Sequence, residues 1–93
     1  MVIGLLTGEL HFPENHSLKG KRVVLRKILE RLKQRLNVSV AEVDYQNLWQ
    51  RSLIAIACVN TSTREANTTL THALNMIDAF YEAELLEHHI EIR

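Results

Sequence analysis

The sequence predicts a small α+β domain in which strands and helices follow one another in the order βαββαβ. Two long segments repeat apolar residues at intervals of three and four, which is typical of amphipathic helices. Four shorter segments either alternate apolar with polar residues or are almost wholly apolar, as strands do. The chain has 93 residues, 46% of them hydrophobic, and a chain of this length is expected to form one domain, residues 1–93.

The first predicted strand covers residues 2–12, where apolar side chains recur at alternate positions. Gly4 and Gly8 lie on one side of it, and a strand glycine allows the backbone of a helix to come close. Pro13 and the polar residues that follow it end the strand, because proline cannot donate a hydrogen bond to a neighbouring strand. We therefore expect a helix to pack on the glycine side of this strand.

The first helix is predicted over residues 18–36, with its leucines and isoleucine on one side. Ser17 precedes it and is a typical N-cap residue, and Asn37 is the predicted C-cap. A second strand is predicted over residues 38–45. A short polar connection separates this strand from the next, so the two are expected to pair as antiparallel neighbours.

The second half of the chain repeats the order of strand, helix and strand. Residues 51–59 contain an apolar run without alternation, which predicts a central strand covered on both faces. Residues 63–81 have helical spacing, and residues 84–93 alternate in the manner of a charged edge strand. Right-handed crossovers then predict a ferredoxin-like fold, a four-stranded antiparallel sheet of order 4-1-3-2 with both helices on one face.

Composition indicates the cellular compartment of the protein and argues against a membrane-spanning segment. Cys58 is the one cysteine, so no internal disulfide forms and a reducing compartment is indicated. The longest apolar run, residues 53–59, is far shorter than the roughly 20 residues that span a bilayer. We expect a cytoplasmic protein with no membrane partner.

Charge is distributed unevenly along the chain, although the formal net charge is zero. Residues 1–40 carry a net charge of +5, and residues 41–93 carry −5. One interpretation is that the two regions neutralise each other within the monomer. The other is that the basic region binds a polyanion such as RNA while the protein as a whole stays soluble.

The predicted fold brings the two loops at residues 11–22 and 44–51 to the same end of the sheet. On a helical wheel, four basic residues of the first helix also form one stripe beside its apolar face. The RNA-binding candidates are Lys19, Lys21, Arg22, Arg26, Lys33, Trp49 and Arg51. Such a stripe can follow a phosphate backbone, and an exposed tryptophan can stack on a base.

Structural interpretations of these candidates remain open. Long basic side chains also cover the edge of a core with their aliphatic stems. Glu42 and Asp44 could be internal partners of Arg22 or Arg51, and a turn tryptophan can fold back over the end of a sheet.

No catalytic, metal or cofactor site is expected. Ser17 is explained as a helix cap, Cys58 is predicted to be buried within a strand, and the sequence lacks a nucleophile elbow. His88 and His89 are consecutive in a strand, so they point to opposite faces and cannot share a metal ion.

The sheet itself is not expected to bind RNA, because none of the five aromatic residues lies in the middle of a strand. Its open face instead offers aliphatic side chains such as Ile3 and Leu5. Apolar groups on a surface favour association with another molecule. Self-association through this face is therefore the alternative to RNA binding.

Four stretches of the sequence resemble the YlxP-like family of small bacterial domains of unknown function. They are Glu9-Leu10-His11 with Pro13, Ser17-Leu18-Lys19 with Lys21-Arg22, residues 37–44, and Leu48-Trp49-Gln50-Arg51. The resemblance implies a ferredoxin-like fold. Genes of the family commonly lie beside genes for translation initiation and ribosome maturation, which implies a role near RNA or ribosome maturation. From the uneven charge and the two loops brought together by the fold, we expect a non-catalytic module that binds RNA or a ribosomal particle.

This chain departs from its relatives at two positions. Gly20 stands where they usually have Glu, which removes the reciprocal capping partner of Ser17. Asn47 replaces the more usual Asp, so no carboxylate is available at that turn position. We expect the loss of the capping partner at Gly20 to loosen the first turn of the helix.

Overall fold

The computed structural model describes residues 1–93 and contains six elements in the predicted order. They are strand β1 (Val2–His11), helix α1 (Leu18–Arg35), strands β2 (Ser39–Asp44) and β3 (Arg51–Asn60), helix α2 (Thr63–Asp78) and strand β4 (Glu84–Ile92). The strand order is β2-β3-β1-β4 and every neighbouring pair is antiparallel. This is the predicted order read from the other edge, so the ferredoxin-like fold is confirmed.

The central strands β1 and β3 position the core. They pair along their whole lengths, from Val2 opposite Asn60 to His11 opposite Arg51. Leu6, in the middle of β1, faces Ile56 on one side and Ile90 of β4 on the other. Alternate residues of both central strands are buried, and they form one cluster with the buried faces of the helices. Neither helix is both long and apolar enough to cross a membrane.

Gly4 of β1 packs closely against two residues of α2, Ala66 and Leu70. A Cβ atom there would lie 3.0 Å from Cys58 Sγ, 3.1 Å from Leu70 Cδ1 and 3.3 Å from Ala66 Cβ. Even a single Cβ would therefore require these buried side chains to shift by a few tenths of an ångström. The predicted close approach of a helix to the glycine side of the first strand is confirmed.

The prediction that β3 is covered on both faces is wrong for the monomer. Its helix-facing residues, such as Ile54 and Ile56, are buried, whereas Leu53 on the opposite face is only partly buried and Val59 is exposed. Both helices lie on the same side of the sheet, so no layer covers the second face. The continuous apolar run therefore reflects aliphatic residues on an open surface rather than burial on both sides.

The ends of the helices also differ from the predicted ones. Helix α2 ends at Asp78 rather than at residue 81, because the chain tightens into a turn in which Phe80 N–H donates to the Ile77 carbonyl over 3.0 Å. This turn directs Phe80 into the core and leaves Tyr81 90% exposed. Helix α1 is capped by Leu36 in an extended conformation, one residue before the predicted C-cap.

Candidate nucleic-acid interface

The loop between β1 and α1 lies against the turn between β2 and β3, as predicted. Phe12 N–H donates to the Gln50 carbonyl over 2.9 Å. The side-chain amide of Asn15 donates to the carbonyls of Trp49 at 2.5 Å and Ser17 at 2.6 Å. Since the bonds to Gln50 and Trp49 join residues more than thirty positions apart, they hold the two loops together as one surface at the start of α1.

Ser17 caps α1, which confirms its predicted role. Its backbone is extended, and its Oγ accepts a hydrogen bond of 2.9 Å from Gly20 N–H. Gly20 also packs directly against the Asn15 side chain, and a Cβ at position 20 would collide with Asn15 Oδ1. The glycine therefore makes room for the Asn15 bridge between the loops, and the first turn is closed without a glutamate at this position.

Lys21 corrects the predicted interface. We expected it to contact phosphate, but its side chain is fully buried. The ammonium group donates to Glu42 Oε2 at 2.9 Å and to the carbonyls of Tyr45 at 2.8 Å, Arg51 at 3.1 Å and Gln46 at 3.3 Å. An ammonium group has three hydrogens to donate, so these acceptors satisfy it completely. Lys21 is therefore a structural residue that stabilises the turn through these hydrogen bonds, and it has no free donor for a ligand.

The surroundings of Lys21 complete a buried polar network. Ser52 is buried on β3, and its hydroxyl donates to the same Glu42 oxygen over 2.7 Å. Tyr45 has a positive φ of 62°, and Asp44 Oδ1 accepts from its N–H over 2.7 Å. The turn is thus bent into a conformation in which its carbonyls converge on Lys21. Glu42 and Asp44 form hydrogen bonds within this network. They do not form the ion pairs with Arg22 or Arg51 that were considered from the sequence.

Arg51 and Trp49 are partly available at the same end. Arg51 forms an ion pair of 3.2 Å with Glu9 of β1, yet its side chain remains 48% exposed. Trp49 is 51% exposed, so half of the residue remains open to a ligand. The structure therefore keeps these two side chains at the surface, with Arg51 already engaged by one carboxylate.

The other predicted basic residues lie along the outside of α1. All four are exposed, and no carboxylate lies within 4.0 Å of any of their charged groups. This set, which we call the outer stripe, consists of Lys19, Arg22, Arg26 and Lys33. The stripe extends for about 21 Å, given a rise of 1.5 Å per helical residue.

A second basic row on α1 was missed by the sequence reasoning. Lys27, Arg31 and Arg35 recur every fourth residue and face the end of α2, where they line a groove of about 410 Å³ with Phe80 and Tyr81. We call this the inter-helix groove. The spacing of the three cations is visible in the sequence and could have revealed the row. The position of the aromatic residues opposite it depends on where α2 ends.

The histidines of the sheet do not form a cluster. His88 and His89 lie opposite Gly8 and Thr7, while His11 lies opposite Glu84, with its Nδ1 3.9 Å from that carboxylate. No three side chains among His, Cys, Asp and Glu are arranged to hold a metal ion. Cys58 is buried.

Fold and surface together define a ferredoxin-like domain with a cationic first helix. Residues 3–90 match a family model described as a protein of unknown function, DUF503. The uncharacterized protein YlxP of Bacillus subtilis strain 168 is 40% identical over 83 residues, which cover 89% of this chain and 90% of that protein. The chain belongs to the DUF503 family.

Among solved structures, the chain is similar to a dimeric ferredoxin-like protein from an uncultured marine organism. The identity is 12% and the TM-score is 0.43, and the match covers 100% of this chain and 94% of the other.

Proposed function

We propose that this protein is a non-catalytic cytoplasmic module that binds RNA, free or within a ribosomal particle, through the exposed face of α1. The observation that carries the proposal is the imbalance of charge on this one helix. Residues 18–35 include eight basic residues but a single acidic one, Glu30. Only Lys21 and Lys27 have carboxylate partners within 4.0 Å, so six cations remain unpaired.

Unpaired cations on a helix oppose one another. Arg22 and Arg26 are four residues apart, as are Arg31 and Arg35, and like charges at this spacing destabilise a helix. Lys19 adds a positive charge at the helix N-terminus, where the macrodipole favours anions. A bound polyanion relieves both costs, because each phosphate contact neutralises a cation and releases counterions from the nucleic acid.

Other surfaces of the protein fit RNA less well. The open face of the sheet carries Glu87 and Glu91 on its β4 edge, both exposed, and these carboxylates repel phosphate. Its centre is aliphatic, without an aromatic ring on which a base could stack. Charge and chemistry therefore favour the helical layer as the surface that binds RNA.

The proposal is tested by the salt dependence of binding. We expect the wild-type protein to bind a short fluorescein-labelled single-stranded RNA, as measured by fluorescence anisotropy. The logarithm of the affinity should fall linearly with the logarithm of the salt concentration, with a slope of about −3 for four phosphate contacts. Absence of binding at low salt, or binding that does not change with salt, would contradict the proposal.

A second candidate function is self-association through the open sheet face. Ile3 and Val59 are exposed there, beside the partly buried Leu5 and Leu53, and such an aliphatic surface favours a partner of similar character. A pair of protomers stacked in this way would leave both copies of α1 on the outside. Sedimentation velocity over a range of protein concentrations tests this candidate, and a monomer at every concentration removes it.

A further inference from the structure

The inter-helix groove combines cations with an exposed aromatic ring. It lies between the C-terminal half of α1 and the turn that follows α2. Tyr81 is 90% exposed, although Phe80 beside it is buried. Burial of Phe80 fixes the turn, and Tyr81 next to it lines the rim of the groove with its side chain open to solvent.

The one carboxylate in the groove is already neutralised. Lys27 Nζ is hydrogen-bonded to Glu82 Oε2, and this bond holds the pKa of Glu82 below its ordinary value. Glu82 is therefore ionised at neutral pH, and its charge is matched by Lys27. Arg31 and Arg35 have no carboxylate within 4.0 Å, so the groove keeps a surplus of positive charge.

Packing restrains one of these arginines. The guanidinium carbon of Arg31 lies 5.4 Å from the centre of the Phe80 ring, a distance that fits a cation–π contact. Lys27 Nζ lies 5.8 Å from the centre of the same ring. Two of the three cations, Arg31 and Lys27, therefore have a structural role in packing against the end of α2. This packing does not account for Arg35, nor for the exposure of Tyr81.

We infer that the inter-helix groove is a subsite for single-stranded RNA, in which a base stacks on Tyr81 and the adjoining phosphates contact Arg31 and Arg35. The inference rests on the proposed function and specifies the form of RNA that the protein prefers. In a duplex the base faces are already stacked on one another, whereas a single strand presents them to aromatic side chains. An acidic peptide would use the two arginines but would gain less from the open tyrosine ring.

The test compares Tyr81→Ala with Tyr81→Phe in binding to a labelled single strand and to a labelled hairpin duplex of the same length. Tyr81→Ala should weaken binding to the single strand at least about fivefold, since loss of one stacked base has an effect of that order or larger. Binding to the duplex should change much less. Tyr81→Phe keeps the ring and should bind as the wild type does, and Thr71→Ala, on the exposed face of α2, is the matched control.

The outcomes separate the two proposals. If the wild type binds neither RNA, the proposed function fails, and the subsite with it. If the wild type binds RNA but Tyr81→Ala leaves the single-strand affinity unchanged, or lowers both affinities equally, only the subsite is overturned. If Tyr81→Ala binds the single strand as the wild type does, and polyglutamate binds the wild type clearly more tightly than it binds Arg31→Ala with Arg35→Ala, the groove binds an acidic peptide instead. Tyr81 is too exposed for its replacement to unfold the domain, and urea denaturation of each variant verifies this.

Discussion

Replacement of Lys21 by Met is expected to lower the free energy of unfolding by about 3–5 kcal/mol, the usual cost of breaking a buried ion pair by removing one partner. Methionine fills a similar volume but donates no hydrogen bond. It therefore leaves the Glu42 carboxylate and the carbonyls of Tyr45 and Arg51 without the donor that they share. Because small domains are stable by only about 5–15 kcal/mol, much of the stability depends on this one side chain. Urea denaturation followed by circular dichroism measures the loss.

Lys19→Met is the matched control for this prediction. Lys19 is in the same helical turn, exposed and without a carboxylate partner, so its replacement should change stability by less than about 0.5 kcal/mol. The double variant Lys21→Met with Glu42→Met should recover only part of the loss, since the turn carbonyls still lack a donor. If Lys21→Met had the same free energy of unfolding as Lys19→Met, the buried network would not stabilise the turn, which would contradict the prediction.

The combined change of Arg22→Ala and Arg26→Ala is expected to weaken RNA binding by about tenfold or more at physiological salt. Each cation that contacts a phosphate of a single strand contributes about 0.7 to the magnitude of the salt slope, so the double variant should lose about 1.4. Both residues are exposed on the outer stripe and form no ion pair. Stability should stay the same or rise slightly, because a like-charge pair is removed.

Arg64→Ala with Arg93→Ala makes the same change in net charge at positions away from α1. Arg64 is near the start of α2 and Arg93 ends the chain beside Glu91. This control should leave the salt slope close to that of the wild type. An equal loss of slope in both double variants would show that RNA responds to overall charge rather than to the outer stripe.

The fold was predictable because local patterns and topology agree. The order of the elements follows from the hydrophobic spacing, and Gly4 indicated where a helix packs on the sheet. The end of α2 was not predictable, because Phe80 and Tyr81 are both aromatic and either could face the core. The turn after Asp78 determines that Phe80 is buried and Tyr81 is exposed. It therefore also determines which aromatic ring lines the inter-helix groove at its exposed rim.

The site was predictable only in part, and Lys21 shows why. Lys19 and Lys21 are both basic residues in the first turn of α1, and composition does not distinguish them. Their directions differ by about 200° around the helix, at 100° per residue, so one faces solvent and the other faces the sheet. A buried lysine is expected only where acceptors surround it, and the acceptors here come from a turn more than twenty residues away.

The most direct test of the account compares the salt slopes of RNA binding for three proteins: wild type, Lys21→Met, and Arg22→Ala with Arg26→Ala. The measurement uses fluorescence anisotropy at a temperature where circular dichroism shows that all three are folded. We predict the wild-type slope for Lys21→Met, because its ammonium group contacts no phosphate, and a clearly shallower slope for the double variant. A shallower slope for Lys21→Met with an unchanged one for the double variant would contradict the account.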